Sequence, residues 1–128
     1  MEHINSGNAA VFVLVNATLA KMYMSFRWRV KGLGKSDKEK KLIFESSEFK
    51  TDHAKQLNDA EYSPLLFAGL LYLHSKGSIS MISSGLSMLG VVTYLWSNKI
   101  GLGAIAPVGA IARFVALFTI ANDIRGTF

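Results

Sequence analysis

Four apolar blocks separated by short polar punctuation dominate the chain. The first runs over about residues 8–26, with AAVFVLVNATLAKMYMSF at its heart. A helix needs about 20 residues to cross a hydrocarbon layer about 30 Å thick, and this block reaches that length. Arg27, Trp28 and Arg29 close it with a cationic and aromatic anchor of the kind that sits at a membrane interface. The opening MEHINSGN lacks the basic segment of a cleaved leader, so the block is expected to be retained as a span. The stretch that follows, a basic loop over residues 27–50, contains Gly32, Gly34 and KSDKEKK and predicts a solvated connection on one membrane face.

The second helix is expected over residues 52–73. Its first half, TDHAKQLNDAEY, is polar and its second, SPLLFAGLLYL, is apolar. Such a helix must either project from the membrane or shelter its polar half inside a bundle. After a turn at His74–Gly77, the third span is expected over residues 79–96. Ser80 and Ser84, and likewise Ser83 and Ser87, lie four apart, which puts small residues on shared faces where helices approach closely. SNKIG leads to a fourth span over residues 102–121, with Pro107 in its first turns, where proline disrupts least. The expectation is one all-α domain over residues 1–128, an integral membrane four-helix bundle.

Composition supports this pattern. Mean hydropathy is +0.28 although 18% of residues are charged, so the charges must be concentrated rather than spread. Most Lys and Arg crowd between Arg27 and Lys55. Beyond that point only Lys76, Lys99, Arg113 and Arg125 remain. With four spans, ten basic residues (Arg27, Arg29, Lys31, Lys35, Lys38, Lys40, Lys41, Lys50, Lys55 and Lys99) fall on one side, against Lys76 and Arg125 on the other. The positive-inside rule then turns the 27–55 loop to the cytosol or its equivalent, in the endoplasmic reticulum or another organelle membrane. The net charge of +5 does not point to nucleic acid, because acidic residues interleave the basic cluster and no aromatic platform accompanies it. Anionic lipid headgroups are the simpler partner. The absence of cysteine removes disulfides, thiolate metal sites and cysteine nucleophiles.

Ionisable groups inside a bilayer are expensive, and each calls for a reason. Lys21 lies near a helix end and can snorkel to the interface. Arg113 lies mid-helix, where it acts either as structural glue or as the partner of another helix, with Glu61 the expected counter-charge. Asn16 adds a polar group within the first span. On the second helix Asn58, Glu61 and Tyr62 stand at i, i+3 and i+4, with Lys55 one turn before. That face offers an amide, a carboxylate, a phenol and an ammonium, suited to a small zwitterionic ligand; a plain polar helix end is the alternative. His3, His53 and His74 show no metal-ligand spacing, so no metal is expected. Neither a phosphate loop nor a Ser/His/Asp arrangement is recognisable.

LNDAEYSPLLFAGLLYL (residues 57–73) resembles the second-helix signature of the MAPEG family, the membrane-associated proteins of eicosanoid and glutathione metabolism. KMYMSFRWR (21–29), VVTYL (91–95) and IAPVGAIARFVAL (105–117) are similar to further stretches of that family. The resemblance implies a homotrimer holding glutathione as cosubstrate between subunits. It also implies transferase or peroxidase chemistry on small lipophilic electrophiles or lipid hydroperoxides. Asn58, Glu61 and Tyr62 match ligand-contacting positions, and Tyr94 matches the third-helix tyrosine; Lys55 and Arg113 complete the expected ligand set. The chain departs from the family at its arginines: Ala54 stands four residues before Asn58, Ser87 and Gly90 precede Tyr94, and Ala104 falls where the thiol-activating arginine is expected. Lys55, Arg27 or Arg113 is left to replace them, and no catalytic residue is assigned. These losses set a second expectation beside the first, a non-catalytic accessory or structural subunit of a larger membrane complex.

Overall fold

A computed structural model describes residues 4–128, and every regular element among them is helical. Helix α1 spans Ser6–Gly32, α2 Asp37–Phe44, α3 Ser47–Ser75, α4 Met81–Trp96 and α5 Ala106–Arg125, with a 3-10 turn at Gly103–Ile105 leading into α5. Asn5 starts α1 by accepting from the Asn8 amide at 2.8 Å. Pro107 falls in the first turn of α5, where a missing N–H leaves no bond unmade.

The expected solvated loop at residues 27–50 is mostly helical instead. Helix α1 runs on to Gly32, α2 occupies residues 37–44, and α3 begins at Ser47. Two serine caps are the physical reason. Ser36 accepts from the Glu39 amide at 3.2 Å and Ser46 from the Phe49 amide at 3.2 Å, each satisfying a donor that a helix start would otherwise orphan. SDKE at residues 36–39 carries that capping spacing within what otherwise looks like charged loop.

The four long helices pack as α1 on α3, α4 on α5, α1 on α4 and α3 on α5. Helices α1 and α3 run antiparallel. Trp28 bonds Asp52 near one end, while His74 presses on Gly7 at the other, where an added Cβ would stand 2.7 Å from the imidazole. Helices α4 and α5 cross backbone to backbone. A Cβ on Gly109 would lie 2.5 Å from the Tyr94 amide nitrogen, and one on Gly90 2.8 Å from Cγ of Arg113. Ser83, Ser84 and Ser87 are buried on the same side of α4, so its small residues do line a close contact.

Apolar side chains lie both inside and outside the bundle, and several charged groups are buried. The interior combines an apolar core, including Val13, Met24, Leu66, Leu70, Leu73, Val91, Leu95 and Ile120, with buried Asp52, Lys55, Asp59 and Arg113. Large apolar side chains such as Val11, Leu19, Phe26, Leu65, Ile111, Val115 and Phe118 point outward. Two helical stretches, Ser6–Gly32 and Gly103–Arg125, are long and apolar enough to cross a membrane.

Candidate functional site

One face of α3 determines where the chemistry sits. Its buried residues are Asp52, Lys55, Asp59, Ser63, Leu66, Leu70 and Leu73, spaced by three and four, so they form one stripe along the helix. The stripe is charged over its first half and leucine over its second. Three clusters of polar groups follow, two along the charged half of α3 and one at the far end of α4 and α5.

The central cluster is built on Arg113, which is 2% exposed. Its Nη2 donates to Oδ1 of Asn58 at 2.7 Å, and its Nη1 lies 3.6 Å from Oδ1 of Asp59. The guanidinium carbon stands 3.7 Å from the centre of the Tyr94 ring and 4.9 Å from that of Tyr62. The close glycine contact between α4 and α5 brings the arginine on one helix against the tyrosine on the other. Ser63 donates to Asp59 at 2.5 Å, and the Tyr62 ring meets Phe114 edge-on. Among the described residues Nε and Nη1 of Arg113 are buried with no acceptor within hydrogen-bond distance, Nη1 facing Asp59 at 3.6 Å.

Lys55 joins the cluster from the side. Its ammonium donates to the Tyr94 carbonyl at 2.7 Å and lies 5.2 Å from the centre of that ring. The carbonyl belongs to the last turn of α4, where intrahelical partners run out and a cation suits the negative end of the helix dipole. Lys55 therefore faces inward to the bundle, while the neighbouring Ala54 is exposed.

Asn58, Tyr62, Tyr94, Lys55 and Arg113 thus come together, and Glu61 does not. Glu61 is exposed on the outer face of α3, and the expected Glu61–Arg113 pair is replaced by Arg113 with Asn58 and Asp59. One residue advances a helix by about 100°, so Asp59 and Glu61 point roughly 200° apart, and the inward one meets Arg113. Reading residue spacing alone missed Asp59. The signal was available: stepping back from Leu73, Leu70 and Leu66 by threes and fours lands on Ser63, Asp59, Lys55 and Asp52.

The second cluster closes the end of the bundle where α1 finishes. Asp52, 3% exposed, accepts from the Trp28 indole at 2.9 Å and from Lys99 at 2.7 Å, with Arg27 at 3.5 Å. Arg27 also pairs with Glu48. A polar cavity of about 390 Å³ opens beside these groups. Arg27 is thus committed here and not to the Arg113 cluster. At the opposite end Asp123 accepts from Ser80 and from Ser83, the latter at 2.6 Å, and the Ser83 hydroxyl lies 2.9 Å from that of Thr119.

The other sequence candidates resolve individually. Asn16 accepts from the Trp96 indole at 3.2 Å and returns its amide to the Phe12 carbonyl. Lys21 is exposed beside a cleft between α1 and α3. Ser87 donates to the Ser83 carbonyl and Gly90 touches α5, so neither position has room for a long cation. Ala104 is exposed in the 3-10 turn. His53 stacks on Phe49 and His74 packs at Gly7, whereas His3 lies outside the described residues. Comparison with protein families, curated proteins and solved structures finds no match to this chain.

Proposed function

We propose that the chain is a multi-pass membrane protein of MAPEG type that binds glutathione and uses it as a transferase or peroxidase on lipophilic electrophiles or lipid hydroperoxides. The large apolar side chains on the outside of the bundle and the two long apolar helices support the membrane placement. Leucine, valine, isoleucine and phenylalanine cover the outside while carboxylates, lysine and arginine pair inside, an arrangement stable where the solvent is hydrocarbon. Helix α3 carries exposed Glu48, Lys50 and Glu61 besides its buried charged stripe, so only its second half is apolar enough to face hydrocarbon. Helix α4, 16 residues long, spans about 24 Å and reaches further through the turns after Trp96.

The observation that carries the glutathione reading is the convergence of Asn58, Tyr62, Tyr94, Lys55 and Arg113 from three helices. A buried guanidinium, backed by two phenols, supplies the positive field that a thiolate or carboxylate requires. In conjugation the thiolate sulfur would bond to the electrophilic carbon as the leaving group departs with its electron pair. Glu61 stands on an exposed apolar strip with Leu57 and Leu65, a costly place for a carboxylate facing lipid, and a trimer in which a second copy covers that strip accounts for it. The reading without catalysis draws on a different observation: Arg113 already occupies Asn58 within one chain, and Ala54 and Ala104 carry no charge.

Calorimetric titration of the detergent-purified protein with glutathione, followed by an aryl-halide conjugation assay, separates the two. Binding that weakens in Asn58→Ala, with turnover, is expected. Absence of binding at millimolar glutathione overturns the proposal. Binding without turnover leaves the accessory-subunit reading in its place.

A further inference from the structure

The basic segment beyond the end of α1 is held against the bundle by aromatic side chains. Phe44, the last residue of α2, meets Phe49 of α3 edge-on with ring centres 5.1 Å apart, and Phe49 meets Trp28 of α1 in the same way at 5.2 Å. A Cβ on Gly32 would stand 3.7 Å from the tip of the Phe44 ring, so α1 and α2 close on each other there. The stack ties α2 to the ends of α1 and α3 beside Trp28, an indole of the kind that settles at a membrane interface.

The side of α2 away from Phe44 has no partner in the chain. Leu33 and Leu42 are 72% and 66% exposed. Leu42 follows Lys38 by four residues and Lys41 by one, so the three share an arc of about 100° on the helix, while Phe44 points away from Leu42. Lys35, Lys38, Lys40 and Lys41 are exposed and form no ion pair among the described residues, whereas Arg27 and Lys31 share Glu48. Asp37 and Glu39 lie in the first turn of α2, where their charge suits the positive end of the helix. From Arg29 to Lys50 seven basic side chains stand against four carboxylates, a net charge of +3. An exposed leucine flanked by unpaired ammonium groups complements a layer with an anionic surface and a hydrocarbon interior.

We propose that α2 is an in-plane anchor that docks on anionic phospholipid headgroups around the bundle, with Lys38 and Lys41 on the headgroup charges and Leu33 and Leu42 seated among the acyl chains beneath. A solvated loop would leave both leucines in water, and a docked α2 does not. The proposal rests on the membrane placement above and is independent of glutathione binding.

Because the chain has no cysteine, Leu42→Cys accepts a single environment-sensitive fluorophore. The labelled full chain is reconstituted in vesicles of phosphatidylcholine, alone or mixed with phosphatidylserine, with nitroxide-bearing lipid as quencher. Blue-shifted, lipid-quenched emission is expected with phosphatidylserine, and its loss is expected in high salt or in phosphatidylcholine alone. Changing Lys38 and Lys41 together to Gln should lower the ratio of quenched to unquenched label on the order of tenfold, and changing both to Arg should keep it. Equal quenching in the two lipid mixtures or indifference to both lysines overturns the proposal. So does blue-shifted emission without lipid quenching, the sign of α2 packed on protein. Phe118→Cys, exposed on α5, serves as the reference position. Quenching there beside an unquenched Leu42→Cys defeats the docking of α2 alone, whereas an unquenched Phe118→Cys defeats the membrane placement and this proposal with it. The salt series needs no lysine substitution and decides alone should the paired variants fail to fold.

Discussion

Arg113 and Asp59 illustrate how a buried charge becomes tolerable. Each would be costly alone in a low-dielectric interior, and together they are held by Asn58, Ser63 and the Tyr94 ring. Removing one partner strands the other. Arg113→Met is expected to destabilise the protein by about 3–5 kcal/mol. Adding Asp59→Asn to that variant should restore a substantial part, because the orphaned carboxylate is gone. Thermal unfolding in detergent, followed by loss of helical circular dichroism, measures both. If the double variant is no more stable than Arg113→Met, the pair is not what holds this site. The residue types of this cluster were legible in the sequence, but their partners were not. Asn58, Tyr62 and Tyr94 stood out by spacing and resemblance, whereas choosing Asp59 over Glu61 as the inward carboxylate depended on which face of α3 the leucines buried.

At the scale of elements, the contact between α4 and α5 is the most constrained. A methyl group on Gly109 would meet backbone atoms of α4, the Tyr94 nitrogen at 2.5 Å and the Gly90 carbonyl at 3.0 Å, and backbone cannot rotate aside. Gly109→Ala should therefore force the helices apart and cost on the order of 1–3 kcal/mol. It should also lift Arg113 from the Tyr94 ring. The expected readout is a lowered unfolding midpoint together with weakened glutathione binding. An unchanged midpoint would show that the crossing is looser than these distances require. The serine spacing on α4 announced a close approach, and α5 meets those serines with Thr119 and Asp123, while Gly109 closes on Gly90 and Tyr94 further along. The short helix α2 went unseen for a different reason. Its eight residues carry no buried side chain and sit in a run of charge; the Ser36 cap starts it, and the Glu45 amide and the Ser46 hydroxyl close it on the Lys41 and Ile43 carbonyls.

For the whole molecule the decisive feature is topology. If four helices cross, α2 lies on one side of the membrane and the turn after α3 on the other. The chain has no cysteine, so Lys38→Cys and Lys76→Cys each introduce a single label site into an otherwise unreactive protein. Both positions are exposed. An impermeant maleimide added to sealed vesicles should modify Lys38→Cys from the cytosolic side alone and Lys76→Cys from the opposite side alone. Labelling of both from the same side would rule out the four-span arrangement, while leaving the helix packing within the chain untouched.

Local composition determined that this protein is helical, that its apolar blocks are long, and that its basic residues gather near the end of α1. These are properties of neighbouring residues, and hydrocarbon or helix periodicity reads them directly. Tertiary structure alone decided which charges meet. Asp52 with Trp28 and Lys99, Lys55 with the end of α4, and Arg113 with Asn58 and Asp59 join residues between 24 and 55 positions apart. Each pairing depends on the rotation of one helix against another, and that rotation is set by where glycine, alanine and serine allow backbones to touch.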